Sequence, residues 1–204
     1  MQNHFSQYTP VPPRSRERGA SLIMVMIILT IVSMLGIAGI QLSINSERGA
    51  RNDRDIQLAW QGAEAGLIDA EFDIFGPVAS SRRAIFTPTT NLQAFVAGCG
   101  TLGNSNGLCS VATTGRPAWV DVNFDTNGSA AQTTAFGTFT GRTFAAGGPG
   151  VQPARAPRYV IEPIRDPNDR DLGNPNPAYV YRVTAMGFGT RADIQAVVQM
   201  IYRN

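Results

Sequence analysis

The rhythm of hydrophobic and polar positions changes twice along the chain. Residues 20–46 carry no charge, and of residues 22–40 only Thr30, Ser33, Gly36 and Gly39 are not strongly apolar. At about 1.5 Å per helical residue that core spans roughly 28 Å, the thickness of a bilayer's hydrocarbon layer. The pattern then turns amphipathic. Ile56, Trp60, Ala63, Leu67, Ala70 and Ile74 recur at spacings of three and four, one face of an α-helix. Arg54, Asp55, Gln61, Glu64, Asp69, Glu71 and Asp73 fall between them and read as its solvated side. One helix from about 20 to about 75 is therefore predicted, half of it apolar all round, ended by Gly76-Pro77. Gly62 and Gly66 weaken the second half, each by roughly 1 kcal/mol relative to alanine.

After residue 77 helical periodicity disappears into a stretch rich in Gly, Pro, Ser, Thr and Asn that runs to about 157. Within it a short turn is predicted over 92–97, capped by Thr90-Asn91, and a strand over 118–124. A weak strand or extended loop is expected around Phe136, Phe139 and Phe144. The end of the chain is clearer: residues 158–164 are β-prone, and 166–177 form a polar, proline-rich loop. Tyr179, Tyr181, Val183 and Ala185, then Ile194, Ala196, Val198, Met200 and Tyr202, alternate on either side of a glycine-containing turn. That is an antiparallel hairpin signal. The expected class is α+β, a long N-terminal helix packed on a C-terminal antiparallel sheet.

Charge orients the apolar segment. Arg14, Arg16 and Arg18 face only Glu17 before it, whereas Arg48, Arg51 and Arg54 are offset by Glu47, Asp53 and Asp55 after it. The positive-inside rule then keeps the N-terminus in the cytoplasm and sends the rest of the chain across the membrane. Composition removes several chemistries. The 204 residues include one histidine, at position 4, and no lysine, and the net charge of +2 is not a nucleic-acid footprint. Nothing in this inventory marks an enzyme or calls for a cofactor.

The junction Arg18-Gly19-Ala20-Ser21-Leu22-Ile23 resembles a type IV prepilin processing site: a basic leader, a glycine, then a small residue opening a long apolar helix. The stretch Gln57-Leu58-Ala59-Trp60-Gln61-Gly62-Ala63-Glu64-Ala65-Gly66-Leu67 is similar to the corresponding segment of PilX-type minor pilins. The resemblance implies cleavage by prepilin peptidase between Gly19 and Ala20 and N-methylation of Ala20. It also implies a type IV pilin-like fold, and four segments: a cytoplasmic leader 1–19, a transmembrane half-helix 20–45, an amphipathic half-helix 46–76, and an exported globular domain 77–204. The expected location is the inner membrane, single-pass with a periplasmic domain, and then the pilus surface. Implied partners are other minor pilins, the major pilin, the peptidase and a tip adhesin. The implied role is to prime or cap pilus assembly. Two alternatives stay open, surface adhesion through residues 77–157 and the tip pseudopilin of type II secretion, though the latter is expected to carry a helical insertion for which this chain has no room. One departure stands out: Met24 occupies the position where most pilins carry a glutamate that pairs with a neighbour's N-terminal amine. Gly36 and Gly39 stand where a helix-breaking proline is common, and read as close packing between helices or as a loosened region.

Cys99 and Cys109 are the only cysteines. Export would place them in an oxidising compartment, where a disulfide closing so short a loop contributes about 3 kcal/mol. A redox pair is the runner-up, and zinc would need two more ligands. Gly98-Cys99-Gly100-Thr101-Leu102-Gly103 fits a dinucleotide fingerprint, but the turn sequence Asn104-Ser105-Asn106-Gly107 follows it instead of a helix. Asp121, Asn123 and Asp125 alternate as calcium ligands do, yet Thr126 and Gln132 replace the glycine and glutamate such a loop needs. Asp166, Asn168, Asp169 and Asp171 form a second acidic group. Polar turns are the better reading of both. Asn127-Gly128-Ser129 matches a glycosylation sequon without further support.

Overall fold

The computed structural model describes residues 20–86, 92–111, 115–169, 173 and 177–203. The leader with Gly19, the proposed cap Thr90-Asn91, and Asp171 lie outside them. The chain divides into two units, one up to Gly49 and one from Ala50.

A single helix, α1, spans Ala20–Phe75. In the first unit its large apolar side chains from Leu22 to Ile44 are exposed. The hydroxyls of Thr30 and Ser33 donate back to the carbonyls of Met26 and Leu29, at 2.8 and 2.7 Å. Both are thus satisfied within the helix itself, as a lipid environment demands. Gly36 and Gly39 are helical, and a methyl group in place of either hydrogen would meet nothing within 4 Å.

In the second unit the last turns of α1 pack on a four-stranded antiparallel sheet in the order β1 (Thr134–Ala135), β2 (Arg158–Arg165), β3 (Tyr179–Phe188), β4 (Gln195–Tyr202). The hairpin joins β3 to β4 with Val183 opposite Met200 and Tyr181 opposite Tyr202, the side-chain alternation expected from the sequence. On the β3 side the pairing runs two residues further into the turn than the alternation suggests, ending at Phe188.

The sheet is buried on both sides at β2. Tyr159, Ile161, Tyr181, Val183 and Ala185 join Leu67, Ala70 and Ile74 of α1, with Phe86, Phe95 and Leu108, in the main core. Alternate residues face a smaller cluster in which Val160 meets Cys99, Cys109, Val122 and Phe124. The loop segment thus covers the face of the sheet away from the helix.

The contact between α1 and β3 is made by absence of side chains. A Cβ on Gly187 would lie 2.1 Å from the Ala59 carbonyl oxygen and 2.2 Å from the Ala63 nitrogen. Small residues Ala59, Gly62, Ala63 and Gly66 are accordingly on the buried face of the helix. This corrects the expected stripe at its start. Ile56 and Trp60 are about half exposed, at 46% and 49%, because only small side chains permit the close backbone approach. It also corrects the solvated side: Asp69 and Asp73 are fully buried.

The expected strand over 118–124 is instead a 3-10 turn, Ala118–Val120. Its Val120 N–H bonds the Pro117 carbonyl (3.1 Å), and the Ala118 N–H donates to Glu162 Oε1 (2.7 Å). The buried Glu162 carboxylate, also held by Arg182 Nε at 3.0 Å, takes the place of a neighbouring strand. The short turn near 92 is a 3-10 helix, Leu92–Ala94. Around Phe136, Phe139 and Phe144 the backbone is turns and irregular structure, with strand β1 just before it.

Candidate functional site

Three features carry the chemistry of this chain: the apolar helix, the cross-linked loop, and the buried charges that join loop to helix. Cys99 and Cys109 form a disulfide. The loop it closes is stitched to the outer edge of β2, where the Cys109 N–H donates to the Ile161 carbonyl and the Ile161 N–H to the Gly107 carbonyl, both at 2.9 Å. Gly107 has φ of +70°, and a Cβ there would collide with Thr134 of β1. The loop therefore follows the strand edge at a distance only glycine allows.

Arg82 locks this loop to the helix. Its Nε donates to both oxygens of Asp73, at 3.1 and 3.0 Å, and its Nη2 makes a further short contact with Asp73 Oδ2. Nη1 donates to the carbonyls of Asn104 (3.1 Å) and Asn106 (2.6 Å) inside the disulfide loop, and the guanidinium lies 3.8 Å over the Phe139 ring. Tyr159 completes the set, its hydroxyl donating to Asp73 Oδ2 at 2.9 Å. Burial, reinforced by the Asp73 charge, pushes the Tyr159 hydroxyl well above its ordinary pKa, so it remains a donor.

One turn earlier, Asp69 receives the Thr140 hydroxyl at 2.5 Å and the Gly137 N–H at 2.7 Å, with Arg142 at 3.7 Å. Burial raises its pKa, and those three contacts oppose the rise. Asp69 and Asp73 thus pin two separate loops to one helix face. Their spacing of four, in register with Ala70 and Ile74, was the signal in the sequence. Arg82, Arg158 and Tyr159 carried none, because their partners come from distant segments.

The other candidate residues behave as polar turns. Asp121 pairs with Arg116 at 3.3 Å, Asp125 with Arg155 at 2.5 Å, and Asn123 accepts the Asp125 N–H at 2.8 Å. Arg203 donates to Asp166 at 2.9 Å, while Asp169 accepts the Ala178 N–H at 3.0 Å. The fingerprint glycine Gly103 opens a three-residue 3-10 helix, too short to present an anion-binding terminus. Asn127 of the sequon accepts a hydrogen bond from Arg158 at 3.1 Å. Met24 lies on the exposed apolar surface of α1.

A long N-terminal helix on an antiparallel sheet, with loops crossing the sheet's far face, defines a pilin-like α+β protein. The chain matches the family model described as PilX N-terminal over residues 18–67, and the model described as type IV pilus assembly protein PilX C-term over residues 105–204. It belongs to the PilX family of type IV pilus proteins, as a minor pilin. No curated protein and no solved structure matches it. Family membership makes it a component that interacts with other parts of the pilus, and α1 is long and apolar enough to cross a membrane.

Proposed function

We propose that this minor pilin primes or caps a type IV pilus by packing its N-terminal helix into a bundle with other minor pilins. In this reading prepilin peptidase removes residues 1–19, Ala20 becomes the methylated N-terminus, and α1 holds the protein in the inner membrane with the sheet domain in the periplasm. The observation that carries it is the charge-free, mostly apolar surface from Leu22 to Ile44, exposed over every helical face. Such a surface has no stable home in water and matches either lipid or neighbouring helices.

Met24 supports a terminal place in the assembly. A helix lacking the glutamate offers no carboxylate to a neighbour's N-terminal amine, so one lattice interaction is missing on one side. The apolar residues Ile56, Trp60, Ile68 and Phe72, exposed on the outer side of α1, would continue the bundle seam beyond the membrane.

The test is Gly19→Val in the native host. Mass spectrometry of wild type should find a mature chain starting at methylated Ala20, and the variant should accumulate at full length with piliation reduced. Normal cleavage and normal piliation in the variant would overturn the proposal.

A further inference from the structure

Arg158 is a buried cation with no counter-ion among the described residues. Only 9% of the residue is exposed. Its Nε donates to Thr133 Oγ1 at 2.5 Å, Nη2 to the Thr133 carbonyl at 2.7 Å, and Nη1 to Asn127 Oδ1 at 3.1 Å. All three acceptors are neutral. A guanidinium has five N–H donors, so two are left over. The contrast with the other buried arginine is plain: Arg82 is matched by Asp73. The charge that acts on Arg158 is a second cation, Arg155, and burial together with that charge lowers the Arg158 pKa. Arginine does not escape by losing its proton. A charge buried without a counter-ion is costly, which points to an anion as its partner.

There is room for one. Arg158 lines an open cavity of about 470 Å³ between the disulfide loop and the turn after β1, with walls from Leu102, Asn104, Asn106, Thr138 and Phe139. That volume lies within the roughly 300–1,000 Å³ of ordinary small-molecule sites. The wall chemistry is mixed. The Asn106 amide donates to the Thr101 and Ala131 carbonyls and the Thr138 hydroxyl to the Ala135 carbonyl. That leaves the Asn106 and Thr138 side-chain oxygens to accept from the hydroxyls of a polyhydroxylated body, while Leu102 and Phe139 suit its apolar faces. The loop wall is held in place by the disulfide and by Arg82, so the site is preorganised.

We infer that this cavity binds a small, hydroxyl-rich organic anion of about monosaccharide size, with its carboxylate or phosphate on Arg158. The site is distinct from the helix surface proposed above for assembly, because its walls come from outside α1.

The experiment uses the full chain in a non-ionic detergent, titrated with glucuronate, glucose 6-phosphate and glucose, and followed by calorimetry and the Arg158 Nε–H resonance. At least one acidic sugar should bind at least tenfold more tightly than glucose, shift that resonance, and weaken as salt is raised. Binding by glucuronate alone identifies a carboxylate ligand, by glucose 6-phosphate alone a phosphate ligand, and by both a general oxyanion site. Arg158→Gln should abolish the preference for the acids. If that variant does not fold, Leu102→Trp, on an exposed wall residue, should weaken the acidic sugars while leaving the melting temperature unchanged. Equal binding of all three sugars by the wild type, or no binding of either acid at about 10 mM, tenfold above a millimolar Kd, would overturn the inference. Piliation is a separate readout, so failure here leaves the assembly reading untouched.

Discussion

Two glycine-to-alanine substitutions on opposite sides of one contact should change stability in opposite directions. On β3, Gly187→Ala places a methyl group 2.1 Å from the Ala59 carbonyl oxygen, 2.2 Å from the Ala63 nitrogen and 2.7 Å from the Gly62 carbonyl carbon. All three are helix backbone, so no rotamer change relieves the clash. The helix must lift by roughly 1 Å to restore contact distances, opening the core around Leu67, Ala70 and Ile74. Ordinary overpacking costs about 1–3 kcal/mol, and a backbone clash of this depth should exceed about 3 kcal/mol. On α1, Gly62→Ala puts its methyl group 3.5 Å from the Gly187 Cα and 3.7 Å from the Phe188 nitrogen, ordinary van der Waals contact. It should stabilise by up to about 1 kcal/mol through helix propensity. For a chain of this size 1 kcal/mol shifts the melting temperature by about 2–4 °C. Thermal unfolding of the full chain in non-ionic detergent, followed by near-UV circular dichroism, should therefore show Gly62→Ala up by about 2–4 °C and Gly187→Ala down by about 6 °C or more. If Gly187→Ala melts with the wild type, or the two variants fall together, the close-approach argument is wrong.

The remaining predictions concern the buried carboxylates. Asp73→Ala should cost about 3–5 kcal/mol, because it leaves the Arg82 guanidinium buried without its partner; a loss below about 1 kcal/mol in urea unfolding would refute that role. Asp69 gives a pH signature. Its folded-state pKa is raised by burial above the ordinary 3.8, so the folded state holds the proton more tightly than the unfolded one. Its stability contribution is full below the unfolded value and is lost as pH rises through the raised one. The melting-temperature difference, wild type minus Asp69→Asn, should therefore decrease as pH rises through that window. An increase would refute the assignment.

The helix and the hairpin were legible because each is a local pattern. Charge-free residues 20–46, the three-and-four spacing of Ala63, Leu67, Ala70 and Ile74, and the alternation from Tyr179 to Tyr202 each state a period that one element satisfies by itself. The same local reasoning failed where the partner decides. Trp60 follows the apolar spacing yet stays half exposed, since the sheet approaches through Gly187 and accepts only small residues opposite. Asp69 and Asp73 look solvated by residue type, and are buried because Thr140, Gly137, Arg82 and Tyr159 arrive from other segments to satisfy them. The 118–124 segment has strand-like residues, but its N–H bonds go to Glu162 and to its own turn.

By itself, then, the order of residues determined the long helix, its apolar half, the strand pair and the cysteines available for a cross-link, all features set by near neighbours in the chain. Tertiary structure alone decided which helix face is buried, that two aspartates serve as anchors for distant loops, and that Arg158, beside a cavity, has no counter-ion among the described residues. The physical reason is that a buried charge is defined by its partners, and partners separated by 71 or 86 residues meet only when the chain has folded.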